Sequence, residues 1–133
     1  MGERFGTETV SLSGHICSWM TDQGVEESWV VPRLWEASAA LPAELIDVHS
    51  LEEVHDADLW LSYYRHPTHP KMVPELDRIE AADLAYPVIL HPAGWLMDGY
   101  HRVAKVLRSG GTKIRAVRFT VENLPPPDLT RAR

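Results

Sequence analysis

Residues 86–109 read YPVILHPAGWLMDGYHRVAKVLRS, and the rest of the predicted domain is built outward from them. Two short apolar runs, residues 86–90 and 95–97, flank His-Pro-Ala-Gly, a sequence typical of a tight turn. Together they predict a β-hairpin. After the hairpin, Asp98 is a suitable N-cap, and apolar residues recur at helical spacing until Gly110, so this part predicts a helix.

The start of this predicted helix is suited to binding an anion. Backbone N–H groups in a first helical turn lack intrahelical partners, and the helix dipole adds partial positive charge there. Gly99 and Tyr100 would offer such N–H groups, and Gly99 would let a ligand approach the backbone closely. His101, Arg102 and Lys105 add side-chain donors, so phosphate is the expected ligand. The alternative is a simple capped turn that leads into a solvated basic helix face.

These residues also carry a family resemblance. Residues 87–107, followed by KIRAVRF, resemble the ParB and sulfiredoxin superfamily, in which a strand pair, a D-G-x-H-R-like turn, a helix and a closing strand follow in this order. The specific match is DGYHR at residues 98–102, and the likeness is good over residues 84–121. In sulfiredoxins the corresponding turn binds nucleotide phosphates, ParB proteins bind a nucleoside triphosphate, and some relatives phosphorylate free serine. The resemblance implies ATP or ADP as a ligand, with magnesium as a companion ion.

Departures from the family limit what the resemblance implies. Tyr100 stands where sulfiredoxins have their catalytic cysteine, which excludes sulfinic acid repair by that route. The E-R-R cluster by which ParB proteins hold the triphosphate is missing, since the corresponding stretch reads ELDRIEAADL. Nothing downstream resembles a helix-turn-helix DNA-binding domain. A phosphate-binding turn on a ParB-like scaffold is what the resemblance still supports.

Composition and charge narrow the function classes. The 133 residues are 44% hydrophobic and 24% charged, which is typical of one globular domain. Residues 1–98 hold 17 acidic and 5 basic residues, a balance of −12, whereas residues 99–133 hold 8 basic and 2 acidic residues, a balance of +6. An acidic chain with a local basic region favours a small anionic ligand over specific nucleic-acid binding. The alternative is that the two halves only neutralise each other through surface pairing.

The predicted environment is the cytoplasm. Cys17 is the single cysteine, which excludes an internal disulfide and fits a reducing compartment. No run approaches the roughly 20 apolar residues that a membrane span needs, and the N-terminus lacks the layout of a signal peptide. We therefore expect no membrane partner.

The pattern along the chain predicts an α+β fold with three parts. Residues 1–28 have no sustained period and are predicted to be an N-terminal arm, which would either pack over the domain or reach a second copy and form a homodimer. Residues 29–122 are the predicted ParB/sulfiredoxin-like domain, a small mixed sheet of about four or five strands with helices packed on it. Residues 123–133 form a Pro-rich tail.

Within the domain, the other predicted elements are two helices and two strands. The helices are expected at about residues 32–41, with Trp35 on the apolar side, and at 72–83. The strands are expected at residues 44–51 and 113–121.

Three residues are candidates for catalysis. Some small-molecule kinases of this family place an acidic catalytic residue just after the first strand of the sheet, which corresponds here to Glu53. The alternative is that Glu52 and Glu53 merely stabilise a first helical turn. His101 would either donate a hydrogen bond to phosphate or act as a general acid or base. Asp98 would either cap the helix or hold a metal.

Two further groups of residues have weaker interpretations. His66 and His69 are each followed by proline, which disfavours a helix that aims both imidazoles at one metal, so no metal site is assigned. The aromatic residues within 60–64 are typical of a core and could alternatively stack on a base or ring.

Three functional hypotheses follow from these observations. The first is a nucleotide- or phosphate-binding enzyme, a phosphotransferase acting on a small metabolite. The second is a non-catalytic nucleotide-binding switch or interaction module. The third is an enzyme of other chemistry that uses the same site for a phosphorylated or carboxylated metabolite.

Overall fold

The computed structural model describes residues 7–8, 16–55 and 78–132. The strands are β1 (Thr7–Glu8), β2 (Ile16–Met20), β3 (Val25–Val30), β4 (Glu44–Asp47), β5 (Val88–Leu90), β6 (Leu96–Asp98), β7 (Lys113–Arg118) and β8 (Leu129–Ala132). The helices are α1 (Val31–Ser38) and α2 (Tyr100–Arg108), with 3₁₀ turns at Val48–Ser50 and Glu52–His55 and a helical segment at 78–81. The predicted α+β class is therefore confirmed.

The strands form two four-stranded sheets. The first has the order β1-β2-β3-β8, with antiparallel pairing throughout. The second has the order β4-β7-β5-β6 and is mixed, because β7 lies parallel to β5 while the other two pairs are antiparallel. The strands of the second sheet fall within the predicted domain and near the predicted positions. The first sheet is not predicted from the sequence.

The second sheet lies between two apolar layers. On one side, Val88 and Leu90 of β5 pack with Val103 and Val106 of α2. On the other side, alternate residues pack against the first sheet in a cluster that contains Cys17, Trp29, Val31, Leu34, Ile89, Trp95, Met97 and Phe119. Successive side chains of a strand point to opposite faces, so a strand covered on both faces reads as a continuous apolar run. This explains the unbroken VIL of β5.

The predicted arm and tail both contribute to the first sheet. The boundary expected at residue 29 falls inside β3, and residues 16–30 form a hairpin in which Cys17 and Trp29 are each 1% exposed. Within the tail, β8 pairs with β3, and the Pro125 carbonyl accepts a hydrogen bond from Trp29 Nε1 at 2.8 Å. The pairing strands are about 100 residues apart in sequence, so no local pattern connects them.

Some side chains in the expected elements differ from prediction. Trp35 is 50% exposed, although its spacing predicts a place on the apolar side of α1. Alternation along residues 113–121 predicts that Val117, Phe119 and Val121 share a buried face. Val117 and Phe119 are buried, but Val121 is 81% exposed, because β7 ends at Arg118. The strand expected over residues 44–51 ends at Asp47, where the backbone N–H of His49 donates to the Asp47 carboxylate and starts a 3₁₀ turn.

The predictions for His66, His69 and the aromatic residues at 60–64 lie outside the described residues, as does the first part of the helix expected over 72–83. Within the described ranges, no helix combines the length and the apolar character that crossing a membrane requires.

Candidate functional site

The DGYHR motif lies at the junction of β6 and α2. β6 is an edge strand that ends at Asp98, Gly99 follows with φ +118°, and α2 begins at Tyr100. Gly99 therefore occupies the N-cap position, and no side chain caps the helix there. The expectation that Asp98 is the N-cap is wrong, because the left-handed residue that turns the chain into the helix is the glycine.

Packing also requires the glycine. A Cβ added to Gly99 would lie 2.5 Å from Val88 Cγ1, closer than any side chain tolerates. The left-handed φ strains any residue that carries a Cβ. Contact with β5 and the turn into α2 are thus sufficient to explain Gly99, for which the sequence alone suggests the approach of a ligand.

Asp98 joins three elements through its side chain. Its Oδ2 accepts hydrogen bonds from Trp35 Nε1 of α1 at 2.9 Å and from Arg102 Nη2 of α2 at 3.0 Å. The side chains of the ion pair are only 14% exposed for Asp98 and 17% exposed for Arg102. Partial burial makes such a charge-assisted pair stronger than a surface pair.

Arg102 has further partners inside the protein. Its Nη1 donates to the backbone carbonyls of Tyr86 at 3.0 Å and Pro87 at 2.9 Å, just before β5. The guanidinium thus ties the entry of β5 to the end of β6. A phosphate at the helix start would have to compete with these bonds for the same donors.

Lys105 makes a comparable structural contact one turn further along α2. Its Nζ donates to the carbonyls of Glu80 at 2.7 Å and Ala82 at 2.8 Å, at the end of the helical segment 78–81. A cation is favourable at a helix C-terminus, where the last carbonyls lack intrahelical partners. In this structure Lys105 binds that helix end.

Tyr100 and His101 are both half-buried in the first turn of α2. Tyr100 packs against the apolar cluster beneath the helix. The structure therefore brings Asp98, Gly99, Tyr100, His101 and Arg102 together at one end of α2, as the sequence order requires.

Glu53 is fully buried, with 0% exposure, in the second 3₁₀ turn. Its Oε2 accepts a hydrogen bond from the backbone N–H of Leu96 at 2.7 Å, so it is attached to β6 two residues before Asp98. Glu52, the adjacent carboxylate, is exposed. The alternative in which both acids simply favour a helix start does not explain why only one of them is interior.

The carboxylates of Glu53 and Asp98 both influence the pKa of the buried Cys17 thiol. The pKa of Cys17 is raised well above its ordinary value, first by burial and then by the negative charges of Asp98 and Glu53. Both carboxylates therefore lie near Cys17 of β2. This proximity of two acids from distant parts of the sequence is a property of the tertiary fold.

Trp35 is the residue of this region that sequence reasoning misses. Its indole is half exposed while its N–H group is bonded to Asp98. The residue's spacing in α1 matches an apolar position, so no signal in the sequence separates this role from core packing.

A surface depression of about 180 Å³ lies at the other end of α2, lined by Ile79, Glu80, Lys105, Arg108 and Ser109. Arg108 Nη2 lies 3.9 Å from Glu80 Oε1 across it. The depression lies beside the carbonyl end of α2, which disfavours anions. Within the described ranges, no three His, Cys, Asp or Glu side chains are grouped to hold a metal ion.

A comparison of the chain with known protein families, with curated proteins and with solved structures finds no match.

Proposed function

We propose that this protein is a phosphate- or nucleotide-binding enzyme of the ParB/sulfiredoxin-like fold, a cytoplasmic phosphotransferase acting on a small metabolite. The order hairpin, DGYHR turn, helix and closing strand supports the family assignment, with β7 returning parallel to β5 after α2. The positive end of α2 supports the anion-binding part. The lone, buried Cys17 supports the cytoplasmic location.

The single observation that carries the enzymatic part is the burial of Glu53. A fully buried carboxylate, held on the backbone of β6 two residues before Asp98, is a candidate general base beside the DGYHR turn. A carboxylate is rarely buried without a structural or chemical role, since its desolvation is costly.

In this proposal, separate residues bind the phosphate groups and transfer the proton. The first-turn N–H groups of Gly99 and Tyr100, together with Arg102, hold phosphate oxygens of ATP or ADP, and His101 donates to the same group or moves a proton. Glu53 accepts the proton of the acceptor hydroxyl as that oxygen bonds to the terminal phosphorus of the nucleotide. The bond from this phosphorus to the bridging oxygen breaks at the same time, and the shortened nucleotide leaves with the electron pair on that oxygen. Arg102 exchanges its internal partners for phosphate.

Three more contributions belong to the same scheme. Lys105 adds a positive charge one turn away. Asp98 holds Arg102 until the ligand arrives. Magnesium, where the nucleotide carries it, is bound mainly by phosphate oxygens.

Binding is tested by titrating ADP, ATP and inorganic triphosphate into the wild type, Arg102→Ala and Arg108→Ala. Loss of a charge-assisted contact costs on the order of 1.5 to 3 kcal/mol, so Arg102→Ala should bind about 10- to 100-fold more weakly. Arg108→Ala is the matched control, because it removes the same charge from the last turn of α2. Melting temperatures separate lost binding from lost stability, since Arg102 also bonds Asp98, Tyr86 and Pro87. Equal losses in both variants would remove the helix start as the site.

Turnover is tested by following the conversion of ATP or ADP with pooled small metabolites. Glu53→Gln keeps an acceptor for the Leu96 N–H but cannot take up a proton, so turnover should fall by roughly 10²- to 10⁴-fold with binding retained. Glu52→Gln is the control, because it neutralises the exposed neighbour.

A second candidate is a non-catalytic nucleotide-binding module. It is favoured by the internal partners of Arg102 and Asp98, which give both side chains a structural role without any chemistry. Such a module would bind nucleotide and form no product in the turnover assay.

A further inference from the structure

His91 lies at the contact between the two sheets. It is 9% exposed in the turn between β5 and β6, and its ring stacks on Trp95 with a centroid distance of 4.8 Å and an interplanar angle of 16°. Trp19 of β2 lies 4.8 Å from the same ring, and Trp29 of β3 lies 6.0 Å from it. The imidazole is therefore surrounded by indoles from both sheets.

The backbone around His91 requires a neutral ring. His91 Nδ1 accepts a hydrogen bond from the backbone N–H of Ala93 at 3.0 Å, so Nδ1 carries no proton in this geometry. The doubly protonated imidazolium has a donor on each nitrogen and no acceptor. After protonation, the Nδ1–H group of His91 and the backbone N–H group of Ala93 would both be donors, and their hydrogen bond inside the 91–94 turn would be lost.

Two charged groups face this turn from other elements. Glu27 of β3 accepts a hydrogen bond from Trp19 Nε1 at 2.8 Å, and its negative charge raises the pKa of His91. Arg118 of β7 approaches from the other side, with its Nη1 3.9 Å from the position of a Cβ on Gly94. Burial is the larger influence on the ring, and it lowers the pKa of His91.

We propose that His91 makes the contact between the two sheets pH-sensitive. When the ring takes up a proton, the turn loses the Ala93 bond, and the β2–β3 hairpin packs less firmly against Trp95. β6 follows directly in the chain and carries both Leu96, which binds Glu53, and Asp98. Acidification therefore loosens the strand that supports the DGYHR turn.

The direction of the effect follows from linkage. The folded protein has the lower His91 pKa, so the unfolded or opened chain binds more protons. The stabilisation is fully present above the unfolded pKa of about 6.5 and is lost as the pH falls toward the folded pKa.

The test compares urea unfolding midpoints from about pH 8 to about pH 5 in the wild type, His91→Asn and His49→Asn. In His91→Asn the side-chain amide oxygen would replace Nδ1 as acceptor for Ala93 without titrating. The wild-type midpoint should fall on acidification, and the fall should be clearly smaller in His91→Asn. His49→Asn is the control, because its side chain is 52% exposed, and it should keep the wild-type fall. The protection factors of the Ala93 and Leu96 amides, which correct hydrogen exchange for its intrinsic dependence on pH, should fall in the wild type over the same range.

An equal fall in wild type and His91→Asn overturns the proposal. Should His91→Asn fail to fold, an NMR titration of the His91 ring in the wild type decides instead. A pKa below about 6.5, with line broadening or shifts at Trp19 and Trp95 on protonation, supports the proposal. A pKa at or above that value overturns it.

Discussion

At the scale of single residues, Gly99 shows how one position satisfies two demands. Its φ of +118° turns the chain from β6 into α2, and its missing Cβ leaves room for Val88 of β5. Gly110 ends the same helix with φ +78°, yet a Cβ there would meet nothing within 4 Å. Both positions would strain a residue with a Cβ, but only at Gly99 would the Cβ also collide with a neighbour.

We expect Gly99→Ala to lower the free energy of unfolding by about 2 to 6 kcal/mol, since left-handed strain and overpacking each cost about 1 to 3 kcal/mol. Gly110→Ala should cost about 1 to 3 kcal/mol, because only the strain applies. Chemical denaturation measures both. Equal losses would show that contact with Val88 contributes nothing.

At the scale of elements, the Asp98 carboxylate connects α1, β6 and α2. Trp35 and Arg102 converge on one oxygen, and Arg102 also reaches the backbone that precedes β5. The half-exposed position of Trp35 is explained by this bond, since the indole must reach the end of β6 rather than the core.

Trp35→Phe keeps an aromatic ring and removes the donor to Asp98. We expect the free energy of unfolding to fall by about 1 kcal/mol, the usual value of one hydrogen bond with moderate solvent exposure. Tyr86→Phe, which removes a hydroxyl from a ring that is 67% exposed, is the control and should change little. A Trp35→Phe protein as stable as the wild type would show that Arg102 alone holds Asp98.

At the scale of the whole molecule, the first sheet is closed by the end of the chain. Asp128 Oδ2 accepts a hydrogen bond from the Val30 N–H at 2.7 Å, and Asp128 also pairs with Arg33. Trp29 Nε1 donates its hydrogen bond to the Pro125 carbonyl. These contacts place β8 beside β3 and attach the last part of the described chain to β3 and α1.

Asp128→Ala should lower the free energy of unfolding by about 1 to 3 kcal/mol, because the Val30 N–H loses a charged acceptor. The exposed Arg33 contributes little to this loss, since its side chain is 56% exposed. Leu129→Ala is the control, because that side chain is 51% exposed in the adjacent strand position. Urea unfolding monitored by tryptophan fluorescence measures both, and equal stability of the two variants would contradict this account of the closure.

Local signals in the sequence are enough to specify the hairpin, α2 and β7. Period-two and helical spacing, the turn at 91–94 and the glycines at 99 and 110 act within a few residues of the elements they define. The DGYHR residues lie at one helix end because they are consecutive in the sequence. Because these elements follow from local signals, the class of fold was predicted correctly.

The remaining features depend on tertiary contacts. Residues 16–30 and 129–132 have weak local patterns, and they become a sheet because Cys17 and Trp29 find a partner surface on β5 and β6. The burial of Glu53, the pairing of Asp98 with Trp35 and the position of His91 among indoles all join residues distant in sequence. Burial and hydrogen bonding depend on neighbours in space, which no periodicity along the chain specifies.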